Sequence, residues 1–135
     1  MYNIYYKKFI RLLFIKICYI KNKKQIYMIC ELCNLEYNEK EINFHHLIPK
    51  TFHNNKRILK QYDKSFLNKN GIYLCYACHN KLHSCIDEKD MAFEYNTIEK
   101  IKENEEIQKW INWKQKHPDF NSTYNRMTLK KRKKK

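Results

Sequence analysis

The sequence has one glycine, Gly71, and two prolines, Pro49 and Pro118, among 135 residues. Its first 29 positions carry no acidic residue, and it has no long uncharged apolar run. Each scarcity narrows the reading. Lys7, Lys8, Arg11 and Lys16 interrupt the apolar N-terminal stretch, so residues 1–27 are too short and too charged to span a bilayer. With one glycine, an unusual φ is expected at Gly71, just ahead of a strand over Ile72-Tyr73-Leu74. Pro49 pushes Ile48 towards β or polyproline geometry, and Pro118 closes a helical region at His117.

What is present describes a folded chain. Apolar content of 43% and aromatic content of 15% exclude a disordered one. The length suits a single domain with a modest core, which a bound metal would help to fold. A net charge of +14 suggests nucleic acid or an anionic surface as partner. Seven of the 28 basic residues lie in residues 1–29, however, and seven more in residues 126–135. The 14 that remain between Cys30 and Asn125 face all 14 acids, so the middle of the chain is neutral. The polyanion argument therefore attaches to two arms. Residues 1–27 read as a basic extension, either a targeting segment or an arm, and residues 118–135 as a basic, disordered tail ending in the run from Lys130 to Lys135. That run serves equally as a nuclear address or as a nucleic-acid arm, so an intracellular location is expected with nucleus or organelle left open.

Six cysteines in a short chain would suit disulfides in a secreted protein, but the spacing points elsewhere. Cys30-Glu31-Leu32-Cys33 and Cys75-Tyr76-Ala77-Cys78 are two C-x-x-C pairs far apart, the pattern of a structural zinc site in which each tight turn supplies two thiolates. A redox dithiol is the weaker alternative. Cys18 and Cys85 fall outside the pattern and read as small hydrophobes.

A short strand from Ile26 to Ile29 is expected to enter the first knuckle, and a β-hairpin element to carry His45 and His46. A helix is expected around Arg57 to Phe66, and another from Cys78 to Cys85 with His79 and His83 one turn apart on one face. Asn96-Thr97 and Asn104 read as the caps of two amphipathic helices, the second burying Trp110 and Trp113 as core. Successive residues of a strand point to opposite sides, so His45 and His46 divide their labour. One imidazole can join the helix pair in holding a divalent cation while its neighbour faces a water, for which a group titrating near pH 6.5 is a competent base. The cation would offset charge on a phosphate and its departing oxygen.

These residues resemble the HNH endonucleases, of the ββα-metal fold. The likeness runs from about Met28 to His117 and covers the first C-x-x-C, the His45-His46-Leu47-Ile48-Pro49-Lys50 element, and Cys75 to Cys78 followed by His79 and His83. It extends to a subgroup in which a Tyr-Asn-Thr-x-Glu helical segment, here Tyr95 to Glu99, precedes a Trp-x-x-Trp end, here Trp110 to Trp113. The Gly-Gly turn common after the His-x-x-Pro element is replaced by Lys50-Thr51-Phe52-His53-Asn54-Asn55, where His53 reads as a solvated loop residue. The resemblance implies an α+β fold: a small ββα-metal finger stapled by the zinc knuckles, with additional C-terminal helices, over residues 28–117. It makes His45, His79 and His83 ligands of a catalytic Mg²⁺, Mn²⁺ or other divalent ion, His46 the general base, and Asn70, with Asn80 as the neighbouring candidate, the residue whose side chain fastens the loop holding the base. The implied activity is one-metal hydrolysis of phosphodiester bonds in DNA to 5′-phosphate and 3′-hydroxyl ends, with Lys50, Lys56, Arg57, Lys130, Lys131 and Arg132 as backbone contacts. The alternative is a zinc-stapled nucleic-acid-binding module without catalysis.

Overall fold

The computed structural model describes residues 15–20, as strand backbone, and residues 23–121. In chain order the strands are β1 (Ile15–Ile20), β2 (Lys23–Ile29), β3 (Glu36–Asn38), β4 (Ile42–His46) and β5 (Gly71–Cys75). The helices are α1 (Lys56–Leu59), α2 (Lys64–Lys69), α3 (Tyr76–Cys85), α4 (Glu88–Phe93), α5 (Ile98–Glu103) and α6 (Glu105–Lys116). Among the described residues the protein is α+β, with one antiparallel sheet ordered β1-β2-β3 and a second pairing β4 with β5. The strand expected over Ile26–Ile29 begins earlier, at Lys23. It pairs with β1, which lies inside the segment read as an N-terminal extension. No helix among the described residues is long and apolar enough to cross a membrane.

Each local element has an identifiable cause. β2 runs straight into Cys30, whose carbonyl accepts the Asn34 N–H at 2.9 Å while its own N–H donates to Leu35 O at 2.9 Å. Asn34 turns the chain at φ 59, a left-handed geometry that asparagine tolerates better than most residues. A capping box between Asn38 and Glu41 forms one 3₁₀ turn and delivers the chain into β4. The first knuckle is tied to β5 on both sides: Glu31 N–H donates to Tyr73 O at 2.9 Å, and Tyr73 N–H to Glu31 Oε2 at 2.6 Å.

Two expectations are corrected here. Gly71 does not sit at positive φ. It is required by space, because a Cβ there would lie 2.4 Å from the His45 carbonyl oxygen and 2.4 Å from Phe44 Cζ. Gly71 is the register partner of His46, so any side chain would push the two strands apart at the candidate site. The single helix expected around Arg57 to Phe66 is two short ones. Asn55 Oδ1 accepts the Arg57 N–H at 2.9 Å and Asp63 Oδ1 accepts the Phe66 N–H at 2.7 Å, so each cap starts its own helix.

The main core gathers the four knuckle cysteines with Leu74, Leu82, Met91, Ile101 and Ile107, all with no exposed surface. A smaller one joins Ile48, Ile58, Leu67 and Ala92, with Phe52, Tyr62 and Phe93 against it. Thr97 and Asn104 cap α5 and α6 as their sequence indicated. Trp110 packs on the main core as expected, whereas Trp113, stacked 5.2 Å from it, stays 39% exposed. Lys114 is fully buried on α6; its ammonium donates to the Tyr37 hydroxyl and to Pro118 O at 3.2 Å. Asn121 Oδ1 accepts the Ala77 N–H at 3.0 Å, so packing continues past His117 to Asn121. Residues 122–135, with Lys130, Lys131 and Arg132, lie outside the described residues.

Candidate metal centres and the histidine pocket

Two ligand clusters form in the places the spacing indicated. The Sγ atoms of Cys30, Cys33, Cys75 and Cys78 all lie within 4.8 Å of one another, and all four residues are buried. Tetrahedral thiolate coordination of zinc needs sulfurs about 3.8 Å apart, from bonds of about 2.3 Å, so the set fits a structural metal site with little movement. Proton sharing leads to the same conclusion. Hydrogen bonding with Cys33, then with Cys75 and Cys78, pulls the Cys30 thiol far below its ordinary range, while Cys78 is driven far above it, chiefly by Cys30. A dry cluster cannot hold four thiolates unaided, and a divalent cation resolves the conflict. Donors already surround it: Trp110 Nε1–H to Cys78 Sγ at 3.3 Å, and Cys78 N–H to Cys75 Sγ at 3.5 Å.

The second cluster is built by β4 and α3. Cys75 closes β5 and caps α3, so the turn that carries the second cysteine pair fixes the start of the helix that carries His79 and His83. These two imidazoles stand 4.7 Å apart between centroids, with His45 at 5.2 and 5.1 Å from them. One nitrogen from each of the three lies within 4.8 Å of the others. Burial, reinforced by His79 and His83, lowers the pKa of His45 to about 3, and burial with His83 lowers that of His79 to about 4. His83 is also lowered by burial, against a raising influence from Glu88. All three are therefore neutral at pH 7, with lone pairs free to bind a cation. His45 Nε2 lies 3.1 Å from Met91 Sδ; with Nε2–H donated to that thioether, Nδ1 is the nitrogen left for a metal.

His46 takes the opposite side of β4, as the strand period requires. Its ring meets Phe44 edge-on at 5.0 Å and His53 at 5.5 Å. Burial, then Lys50 and His53, lowers its pKa, while a hydrogen bond to the Asn68 backbone raises it. His45, His46, His79 and His83 line one pocket of about 180 Å³, together with Phe44, Pro49, Lys50 and Glu88. The Asn70 carbonyl accepts the Leu47 N–H at 3.1 Å, so the segment after β4 is fastened through the Asn70 backbone and not through the side chain that the resemblance implies.

Compared with models of known protein families, with curated proteins and with solved structures, the chain finds no match. Its chemistry has to be read from the site itself.

Of the residues singled out in the sequence, the cysteine set and the histidine trio converge and Lys50 reaches the pocket wall, while Lys56 and Arg57 sit exposed on α1. Cys85 is half-buried against the core, and Cys18 lies on β1. His53 is not a solvated loop residue. It is 9% exposed, its Nε2 is 2.9 Å from Ile48 O, and its ring faces His46. Sequence reasoning also missed α4, which brings Met91 to His45 and Glu88 to the pocket mouth, where Glu88 Oε2 accepts the Thr51 hydroxyl at 2.7 Å. The signal was there: Asp87 caps the helix through the Asp90 N–H at 2.8 Å, and Glu88 and Asp90 fill its first turn.

The neutral trio makes stability depend on acid. His45 has a folded pKa of about 3 against an ordinary 6.5, so the unfolded chain binds more protons between those values and stability falls as pH falls from 6.5 towards 3. The slope from His45 is about 1.4 kcal/mol per pH unit within that window. Urea midpoints without added divalent ion should hold steady above pH 7 and drop progressively below 6.5. A flat profile from pH 7 to 5 would show that these imidazoles are not held neutral.

Proposed function

We propose that the protein is a metal-dependent endonuclease of the HNH type, hydrolysing phosphodiester bonds in DNA with one catalytic divalent ion. The observation that carries this reading is the convergence of His45, His79 and His83 within 4.8 Å in a pocket that His46 also lines. Three neutral imidazoles suit a divalent cation, and His46 is a fourth imidazole beside it whose strand side keeps it from completing the ligand set. Zinc is the ion best matched to Cys30, Cys33, Cys75 and Cys78, in a structural role. Mg²⁺, Mn²⁺ or another divalent ion at the histidines would supply charge neutralisation at the phosphate and the departing oxygen.

The chain's own residues have separate tasks. His46 takes the proton of the attacking water, helped by a pKa kept low by burial, Lys50 and His53, which leaves the ring unprotonated at neutral pH. Its hydrogen bond to the Asn68 backbone orients the imidazole. Lys50, exposed at the pocket wall, meets a non-reacting phosphate oxygen.

Full-length protein should nick or cut plasmid DNA when Mg²⁺ or Mn²⁺ is added, and His79→Ala should reduce cutting by at least 100-fold on the order expected for loss of metal-ion assistance. Tight DNA binding with one zinc per chain, no second divalent site and no cutting would replace the enzyme by a binding module.

A further inference from the structure

The 24 residues between β4 and β5 are basic within a central region that is neutral only as a whole. From Lys50 to Asn70 the sequence has Lys50, Lys56, Arg57, Lys60, Lys64 and Lys69 against one acid, Asp63, whose carboxylate is engaged in capping α2. All six cations are exposed, and among the described residues none is paired with a carboxylate. The same segment carries two of the exposed large hydrophobics, Leu59 at 38% and Phe66 at 44%. Phe66 lies parallel to Tyr62, with centroids 5.1 Å apart and planes 11° from coplanar. Tyr62 is anchored on the small core of Ile48, Ile58, Leu67 and Ala92, so the pair is a fixed two-ring stack whose outer member remains open to solvent. Its distance from the candidate chemistry is short along the chain: Asn68, two residues on, hydrogen-bonds His46, and Lys50 lines the histidine pocket.

We infer that this excursion holds a nucleic-acid strand in unpaired form beside the histidine pocket, with a base stacked on Phe66 as the third ring and the surrounding lysines on the flanking phosphates. The inference rests on the nuclease reading and names its substrate class: nucleic acid with unpaired nucleotides near the cut. Charge complementarity selects the occupant, because an apolar partner would not call for six exposed cations without carboxylate partners in the segment that carries the two rings. Ring geometry selects the unpaired form. Inside a duplex both faces of each base are covered by neighbours, so a side-chain ring can stack only on a base at an end, a gap, a mismatch or a single strand.

Binding can be measured with the full-length chain, without added Mg²⁺ or Mn²⁺, on a single-stranded oligonucleotide carrying 2-aminopurine and on the same sequence as a blunt duplex. Wild type should prefer the single strand and quench its 2-aminopurine fluorescence. Phe66→Ala should weaken single-strand binding roughly ten-fold, the scale of one lost base–aromatic stack, leave duplex affinity unchanged as a control on folding, and abolish quenching. Phe66→Trp should restore both. Equal affinity of wild type and Phe66→Ala for the single strand overturns the proposal, as do equal losses on both probes or no nucleic-acid binding at all, in which case the surface belongs to another class of partner. Cutting, scored separately with added Mg²⁺, keeps the two readings apart. Quenching without cutting removes the nuclease and leaves the platform. Cutting with no difference between wild type and Phe66→Ala on gapped and intact DNA removes the platform alone.

Discussion

Cys75→Ser is expected to unfold the domain and to leave the purified protein without zinc. Cys75 has no exposed surface, ends β5, caps α3 and belongs to the four-sulfur cluster, so the substitution removes a ligand, a cap and a core contact together. Structural zinc sites of this kind contribute roughly 10–16 kcal/mol of binding free energy, whereas a domain of ordinary stability has about 5–15 kcal/mol in total. Losing one ligand of four therefore exceeds what the modest core can offset. Zinc content by elemental analysis and the far-ultraviolet dichroism of purified wild type and variant would check this. A soluble, fully folded, metal-free Cys75→Ser protein would refute the structural role. Because α3 starts at this residue and carries His79 and His83, the histidine cluster should be lost with it.

His46→Ala is expected to leave the fold intact and remove cutting. His46 is half-buried and lies outside both ligand clusters, so its replacement takes away neither a core side chain nor a metal ligand. A positioned general base contributes about 10²–10⁴-fold, and plasmid cutting by the variant should fall by a factor in that range while zinc content and the thermal midpoint stay within error of wild type. Cutting at the wild-type rate would remove His46 from the proposed chemistry. Loss of the second divalent ion along with activity would move it into the ligand set instead.

The two substitutions also separate what was legible in the chain from what was not. Cysteine pairs at i, i+3 and histidines at i, i+4 bring their own geometry: a tight turn aims two sulfurs at one point, and a helix stacks residues four apart on one face. The opposite facing of His45 and His46 follows as directly from the strand period. The caps at Thr97 and Asn104 were readable for the same reason, since each acts within three residues of itself.

What was not readable depends on which distant segments meet. A lone glycine before a strand suggests a φ requirement, but the need for glycine at Gly71 comes from Phe44 and the His45 carbonyl on the facing strand. The polar loop around His53 suggests a solvated residue, yet the fold turns it inward onto Ile48 and His46. Nothing in the local sequence marks Met91, whose sulfur α4 sets against His45. The basic connection from Thr51 to Asn70, by contrast, is legible in the sequence itself, because its cations are near neighbours along the chain.

By itself, then, the sequence determined the ligand types, their pairing by local spacing and the α+β alternation of elements, all of which act through contacts a few residues apart. Tertiary structure alone decided that one strand and one helix bring His45, His79 and His83 within 4.8 Å and that His46 lines the same pocket from the other side of its strand. Those are distances between residues far apart in sequence, set by strand register and by the packing of side chains in the core.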